Sequence, residues 1–209
     1  MNYLYVTNFR HLIPENPTAE LPNQTIKLRQ FLSAIIKAAT ASQNFEFLSG
    51  LSCRKRVNRK PCQGAILIKR QDIPKRFIFW HCDKCEDGGR ISDFEDTYCD
   101  LSRWKQQTPS DPGDEIVEVI ITREQYRAFI SPNMSVYDPD SEKIIFSAVC
   151  TDDGIILKGF EGDMDNFIGY IAADLNHEPN QKRKKLVEPI YNKIQYGIDS
   201  IMDNKEISL

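Results

Sequence analysis

The sequence predicts an α+β protein: an N-terminal helix and a cysteine-bearing β subdomain, followed by a β-α-β-β-α-α module. Three observations carry this expectation. Apolar residues recur at helical spacing over residues 24–42, β-rich segments are interleaved with cysteines between residues 53 and 85, and strand-like alternation beyond residue 114 runs into a helix-start signal.

The N-terminal segment, residues 1–46, opens on YLYVT, a short strand, and passes through Pro14, Pro17 and Pro22 before the helix. Within that helix Leu28, Phe31, Leu32, Ile35, Ile36 and Ala39 share one face, which reads as packing against a core.

The next segment, residues 47–105, carries Cys53, Cys62, Cys82 and Cys85 in the spacing C-x8-C-x19-C-x2-C. A thioredoxin-like redox pair follows a strand and opens a helix, whereas C-D-K-C is followed here by E-D-G-G-R-I-S, a turn and a strand. The spacing therefore points to four thiolates around one tetrahedral metal, zinc in a structural role, because four thiolates leave no position for water. The same sulfur set accepts iron. Residues 64–70 and 75–80 read as a hairpin. Centred near Asp72, its antiparallel pairing would set Cys62 opposite Cys82. Gly88 and Gly89 allow a tight turn after Cys85, and residues 90–94 supply a third strand of a zinc-ribbon-like sheet. His81 and Cys99 are alternative ligands, and Cys150 reads as core.

Residues 106–114, rich in Pro, Gly and Asp, form a linker to a module at 115–209. Residues 115–121 alternate as a strand, and Thr122 with Gln125 forms a capping box for the next helix. Residues 144–150 and 155–160 read as a hairpin around Asp152, Asp153 and Gly154. Asp163 then caps a helix with Phe167, Ile168, Ile171, Ala172 and Leu175 on one face. The last helix carries Leu186, Ile190, Ile194 and Ile198, and Pro189 either kinks it or marks its start.

Composition excludes some classes. The chain has 209 residues, 41% apolar and 27% charged, which is folded-protein composition rather than disorder. No run approaches ~18 consecutive apolar residues, and the N-terminus lacks a secretory pattern, so a cytoplasmic protein with no membrane partner is expected. The net charge of −3 conceals two unlike stretches. Residues 53–76 carry nine cations, Arg54, Lys55, Arg56, Arg59, Lys60, Lys69, Arg70, Lys75 and Arg76, against Asp72 alone. Residues 83–100 carry seven acidic residues against Lys84 and Arg90. The first stretch suggests nucleic-acid recognition, with Phe77, Phe79 and Trp80 as stacking surfaces. The alternative is a protein adaptor using the acidic stretch or the C-terminal module. A third reading, a small hydrolase or nuclease, would use His177 within Asn176, His177 and Glu178, a cluster that reads most simply as a helix C-cap. No catalytic residue is assigned, His11 is given no role, and the basic cluster at 182–185 reads as a solvated helix start.

The pattern C-R-x-R…C-x-G-x-I…W-x-C-x-x-C…G-x-I-x-x-F, with D-L-S at 100–102, resembles a group of uncharacterised bacterial proteins of zinc-ribbon type. In that group a similar cysteine region precedes an α/β module ending in an alanine-rich helix with Asn-His, like I-A-A-D-L-N-H-E here. The resemblance implies a fold and a metal but no activity. Two positions depart from the pattern: Glu86 stands where a zinc knuckle usually has Gly, and Cys99 where an aromatic is expected.

Overall fold

The structure, a computed structural model, describes residues 5–14, 21–104, 114–130 and 138–207. The fold is α+β, and the chain forms two compact units, Met1–Arg103 and Trp104–Leu209. The expected linker at 106–114 lies, except for Asp114, outside the described residues.

In the first unit α1 (Asn23–Ala41) packs on a mixed sheet. The strands are β1 (Tyr5–Asn8), β2 (Glu46–Ser52), β5 (Ala65–Gln71), β6 (Phe77–Cys82) and β7 (Gly88–Ser92), in spatial order β1-β7-β6-β5-β2. All pairings are antiparallel except β1 with β7. The helical stripe does what its spacing predicts: Leu32, Ile35, Ile36 and Ala39 are buried, and Phe31 meets Trp80 edge-on at 5.2 Å. Thr40 completes this layer, because its hydroxyl donates to Ile36 O at 2.8 Å and accepts from Leu101 N at 3.0 Å.

Strand β2 is not anticipated by the sequence pattern, since its E-F-L-S-G-L-S lacks apolar alternation. Ser49 occupies a core position, 1% exposed, because its hydroxyl donates to Ile66 O at 2.7 Å. The β5–β6 hairpin forms, but its register differs from the expected one. Ile66, not Cys62, lies opposite Cys82, because the turn centres on Pro74, after a cis Ile73–Pro74 peptide, rather than on Asp72. Strand β7 starts at Gly88, so the two glycines belong to the strand, and Phe94 is buried beyond its end. Between β2 and β5 the basic loop folds as a small hairpin, β3 (Arg56–Val57) and β4 (Lys60–Pro61). Asn58 and Arg59 turn it with φ of 51° and 64°, the paired left-handed turn that a two-residue hairpin favours.

In the second unit β8 (Ile116–Ile121) and β9 (Val149–Cys150) flank β10 (Ile155–Phe160), all antiparallel. Strand β8 alternates exposed and buried as its sequence predicts. The capping box opens α2 (Arg123–Phe129): Gln125 N donates to Thr122 Oγ1 at 3.1 Å, and Thr122 N to Gln125 Oε1 at 2.8 Å. The strand expected at 144–150 is largely helical. Ile144, Ile145 and Phe146 end α3 (Pro139–Phe146), leaving only Val149 and Cys150 extended. A short apolar run is ambiguous between the two states, and here the start signal decides, with Asp138 accepting from Asp140 N and Ser141 N ahead of Pro139.

Helix α4 (Glu161–His177) begins two residues before the expected Asp163 and buries Phe167, Ile168, Ile171 and Leu175. Helix α5 (Gln181–Ile207) contains Pro189, which sits on its exposed face, while Val187, Ile190, Ile194 and Ile198 line the buried one. The basic cluster at 182–185 is not wholly solvated. Arg183 is buried, pairs with Asp174 at 2.6 Å and with Glu178, and donates to Ala128 O at 3.1 Å, tying α2, α4 and α5 together.

That network gives the second unit a predicted acid sensitivity. The backbone N–H of Asn180, then Arg183, hold the Glu178 carboxyl below the usual carboxylate range. A depressed carboxyl pKa stabilises the fold above the unfolded value, about 4.3 for Glu, and that stability is lost as pH falls through the folded value. Thermal denaturation followed against pH should therefore show the wild type losing more stability on acidification below that value than Glu178→Gln. Parallel acid limbs would remove the linkage.

Candidate metal centre

Of Cys53, Cys62, Cys82 and Cys85, the first three stand where a strand ends. Cys53 follows β2, Cys62 follows β4, Cys82 closes β6, and Cys85 lies in the turn to β7. The backbone joins these ends: Cys53 N donates to Gly64 O at 2.9 Å, Cys62 N to Lys55 O at 2.9 Å, and Cys82 N to Asp87 O at 2.8 Å. The four sulfurs converge within 4.8 Å of one another. Cys53 and Cys85, and Cys62 and Cys82, stand 3.7 Å apart. A tetrahedron with metal–sulfur bonds of ~2.3 Å has sulfur–sulfur edges of about 3.8 Å, so the pairs are already at coordination distance. The four cysteines could hold a metal ion.

Backbone N–H groups point at the sulfurs. Lys55 N donates to Cys53 Sγ and Gly64 N to Cys62 Sγ, both at 3.4 Å, and Lys84 N donates to Cys82 Sγ at 3.3 Å. Such donors stabilise thiolates. Burial acts against them: it pushes the Cys53 thiol well above its ordinary value and Cys82 up to about 11, whereas Cys62 is lowered, chiefly by the Gly64 N–H. A cation at the centre reverses the burial effect, because a coordinated thiol loses its proton outright.

Gly64 is required by space. A Cβ there would lie 2.2 Å from Cys82 Sγ and 2.6 Å from Asp83 Oδ1, inside the cluster itself. Asp83 Oδ1 accepts from Ala65 N at 2.8 Å, which fixes the knuckle to the start of β5. Buried Asp87 pairs with Arg54 Nε at 3.5 Å. The Arg54 guanidinium also lies 5.0 Å from the rings of Tyr5 and Phe31 and 5.8 Å from that of Trp80. Arg54 thereby connects the residue after Cys53 to β1, α1 and β6.

The alternative ligands lie elsewhere. His81 belongs to β6 with its side chain on the sheet face opposite that of Trp80 and Cys82, as strand alternation requires. Cys99 is fully buried beside Thr40, whose hydroxyl lies 3.5 Å from its carbonyl. Cys150 is buried in β9 and accepts a hydrogen bond from Arg123 at 3.0 Å. At the end of α4, Asn176 and His177 are exposed and Glu178 is engaged by Arg183 rather than by His177. His11 is exposed in a 3-10 turn, Phe9–Leu12.

The nine sequence-designated cations divide into two groups. Five have carboxylate partners within the unit: Arg54 with Asp87, Lys69 with Glu46, Arg70 with Asp72, Lys75 with Asp93, and Arg76 with Asp72 and Asp100. Arg70 also donates to Ala39 O and Ser42 O, so it serves as a link from β5 to the end of α1. Lys55, Arg56, Arg59 and Lys60 are exposed on and beside the β3–β4 hairpin, with Arg56 Nε donating to Arg59 O at 3.0 Å. Trp80 is core, 1% exposed, and is not a stacking surface, while Phe77 and Phe79 are half-buried on the opposite face. Gly64, Asp87 and the caging of Arg54 escaped sequence reasoning, although the C-x-G of Cys62–Gln63–Gly64 held a readable signal for the first.

No family model, curated protein or solved structure matches this chain.

The cradle at Gly64 generates a test that leaves all four thiols in place. If the cluster holds a metal, Gly64→Ala is expected to abolish its retention and to melt below the metal-loaded wild type, because the new methyl group occupies the space of Cys82 Sγ. Metal retained at wild-type stoichiometry would show that the cluster rearranges freely.

Proposed function

We propose that Cys53, Cys62, Cys82 and Cys85 hold one structural zinc ion. The first unit is then a non-enzymatic binding module that recognises nucleic acid through the β3–β4 hairpin. Zinc suits this donor set because a closed four-thiolate tetrahedron needs neither redox chemistry nor an open position. The observation that carries the functional reading is the state of Lys55, Arg56, Arg59 and Lys60. Among the described residues none of the four has a carboxylate partner, and all are exposed on a segment anchored at both ends by Cys53 and Cys62. Cations on an anchored segment lose less conformational entropy on meeting a phosphate backbone than cations on a free tail. A phosphate-contacting role also needs no catalytic group.

Elemental mass spectrometry of the native protein should find one zinc per chain, lost in Cys82→Ser and Cys85→Ser variants together with thermal stability. Iron in its place, or no metal in protein purified without chelator, overturns the zinc assignment. Binding of a labelled duplex should weaken with salt with a log–log slope of about −3.6, the value for four neutralised phosphates. Double reversal, Arg56→Glu with Arg59→Glu, should make that slope shallower by about 1.8 or more and weaken binding at low salt. Salt-insensitive binding, or binding that survives the reversal, counts against the hairpin.

A further inference from the structure

Strand β6 carries aromatic side chains on both of its faces. Ile78, Trp80 and Cys82 point inward and are 0, 1 and 3% exposed, with Trp80 against Phe31 of α1. Phe77, Phe79 and His81 occupy the alternate positions and are half-buried on the face turned away from α1. An outward sheet face normally carries polar side chains, so three successive planar ones require an explanation.

The neighbouring strands set cations beside them. In register, Phe79 lies between Lys69 of β5 and Arg90 of β7, and Phe77 lies opposite Gln71. The Arg90 guanidinium sits 4.6 Å from the Phe77 ring centroid, and its Nε is buried without a hydrogen-bond partner. Among the described residues Lys69 is paired with Glu46 and Lys75 with Asp93, whereas Arg90 has no carboxylate partner. His81 stands one residue before Cys82, at the metal end of the strand, and Lys75 lies beyond Phe77 at the other end.

We propose that this face of β6 is a stacking platform for the bases of a single-stranded nucleic acid, with Phe79 and His81 as base-contacting planes. The inference rests on the nucleic-acid reading of the hairpin and specifies the strand state of the ligand. Every base offers a π face whatever its sequence, so a row of aromatic and imidazole rings selects exposed bases. A duplex keeps its base faces stacked on one another and presents none. Arg90, over the Phe77 ring, supplies a further planar group and a positive charge beside the platform. Charge complementarity favours this occupant over an apolar peptide: Arg90 borders the rings, and the hairpin cations belong to the loop that the metal cluster joins to the His81 end of β6.

The test is fluorescence anisotropy with a labelled oligouridylate and a labelled duplex of the same length, using zinc-loaded full chain. Wild type should bind the single strand more tightly. Phe79→Leu, which keeps apolar bulk and removes the π face, should weaken single-strand binding roughly 5- to 150-fold, the range for losing one base stack, with duplex binding unchanged. His81→Leu provides the same readout should Phe79→Leu lower the melting temperature. Wild-type affinity for the single strand in both variants, or a preference for the duplex, overturns the platform. If reversal of Arg56 and Arg59 still weakens binding in that case, the hairpin reading stands and only the platform falls. A wild type that binds neither probe removes both.

Discussion

Four thiols held within coordination distance of one another are costly without a cation. Burial disfavours their ionised form, as the raised Cys53 and Cys82 show, and a neutral cluster makes only weak sulfur hydrogen bonds. The chain nonetheless brings together sulfurs from the ends of β2, β4 and β6 and from the turn into β7. Much of that end of the unit depends on the convergence. Residues 54–61 are exposed throughout, so β3 and β4 bury no core of their own and are held by the cysteines at either end and by Cys62 N on Lys55 O. A two-residue pairing of this kind is marginal in water. In the proposed zinc protein the metal's binding free energy is what keeps the hairpin folded.

Arg54 extends the influence of the cluster to the sheet and helix. A divalent ion with four thiolates carries a formal charge of −2, and buried Asp87 adds a further negative charge close to Cys53. The Arg54 guanidinium offsets the second and would offset the first, pairing with Asp87 while resting among Tyr5, Phe31 and Trp80. Arginine suits the place because its planar, weakly hydrated head can satisfy a carboxylate and lie against rings together. Lysine would keep the charge and lose the stacking. The residue following Cys53 therefore couples the cysteine cluster to the packing of α1.

What could be read from the sequence was local. Alternation in Ile116–Ile121, the Thr122–Gln125 box and the stripe on α1 all depend on neighbours within a few residues, and all appear in the structure. Of the cysteine cluster, only the Cys82–Cys85 turn is local in this sense, whereas Cys53 and Cys62 reach it across the β3–β4 and β5–β6 hairpins. What was missed depends on distant partners or on a competing local choice. Ser49 looks like a loop residue until Ile66 O accepts its hydroxyl, which hid β2. The β5–β6 register differs from the expected one because Asp72 reads as the turn centre, whereas the pairing centres on Pro74. Ile144, Ile145 and Phe146 fit a strand as well as a helix end, and only the cap at Asp138 separates the two.

Charge shows the same distinction between neighbours in sequence and neighbours in space. Counted along the chain, residues 53–76 are strongly basic and 83–100 strongly acidic, which suggests two opposed surfaces. In the fold the two stretches partly neutralise each other, through three ion pairs. Asp87 takes Arg54, Asp93 takes Lys75 and Asp100 takes Arg76, and Asp87 and Asp100 are buried in doing so. The acidic surface available to a protein partner shrinks accordingly, and so does the basic one. Of the basic stretch, the cations without a carboxylate partner among the described residues are Lys55, Arg56, Arg59 and Lys60, on a segment anchored by two cysteines. Internal pairing thus narrows a diffuse basic stretch to a hairpin whose position the metal site would control.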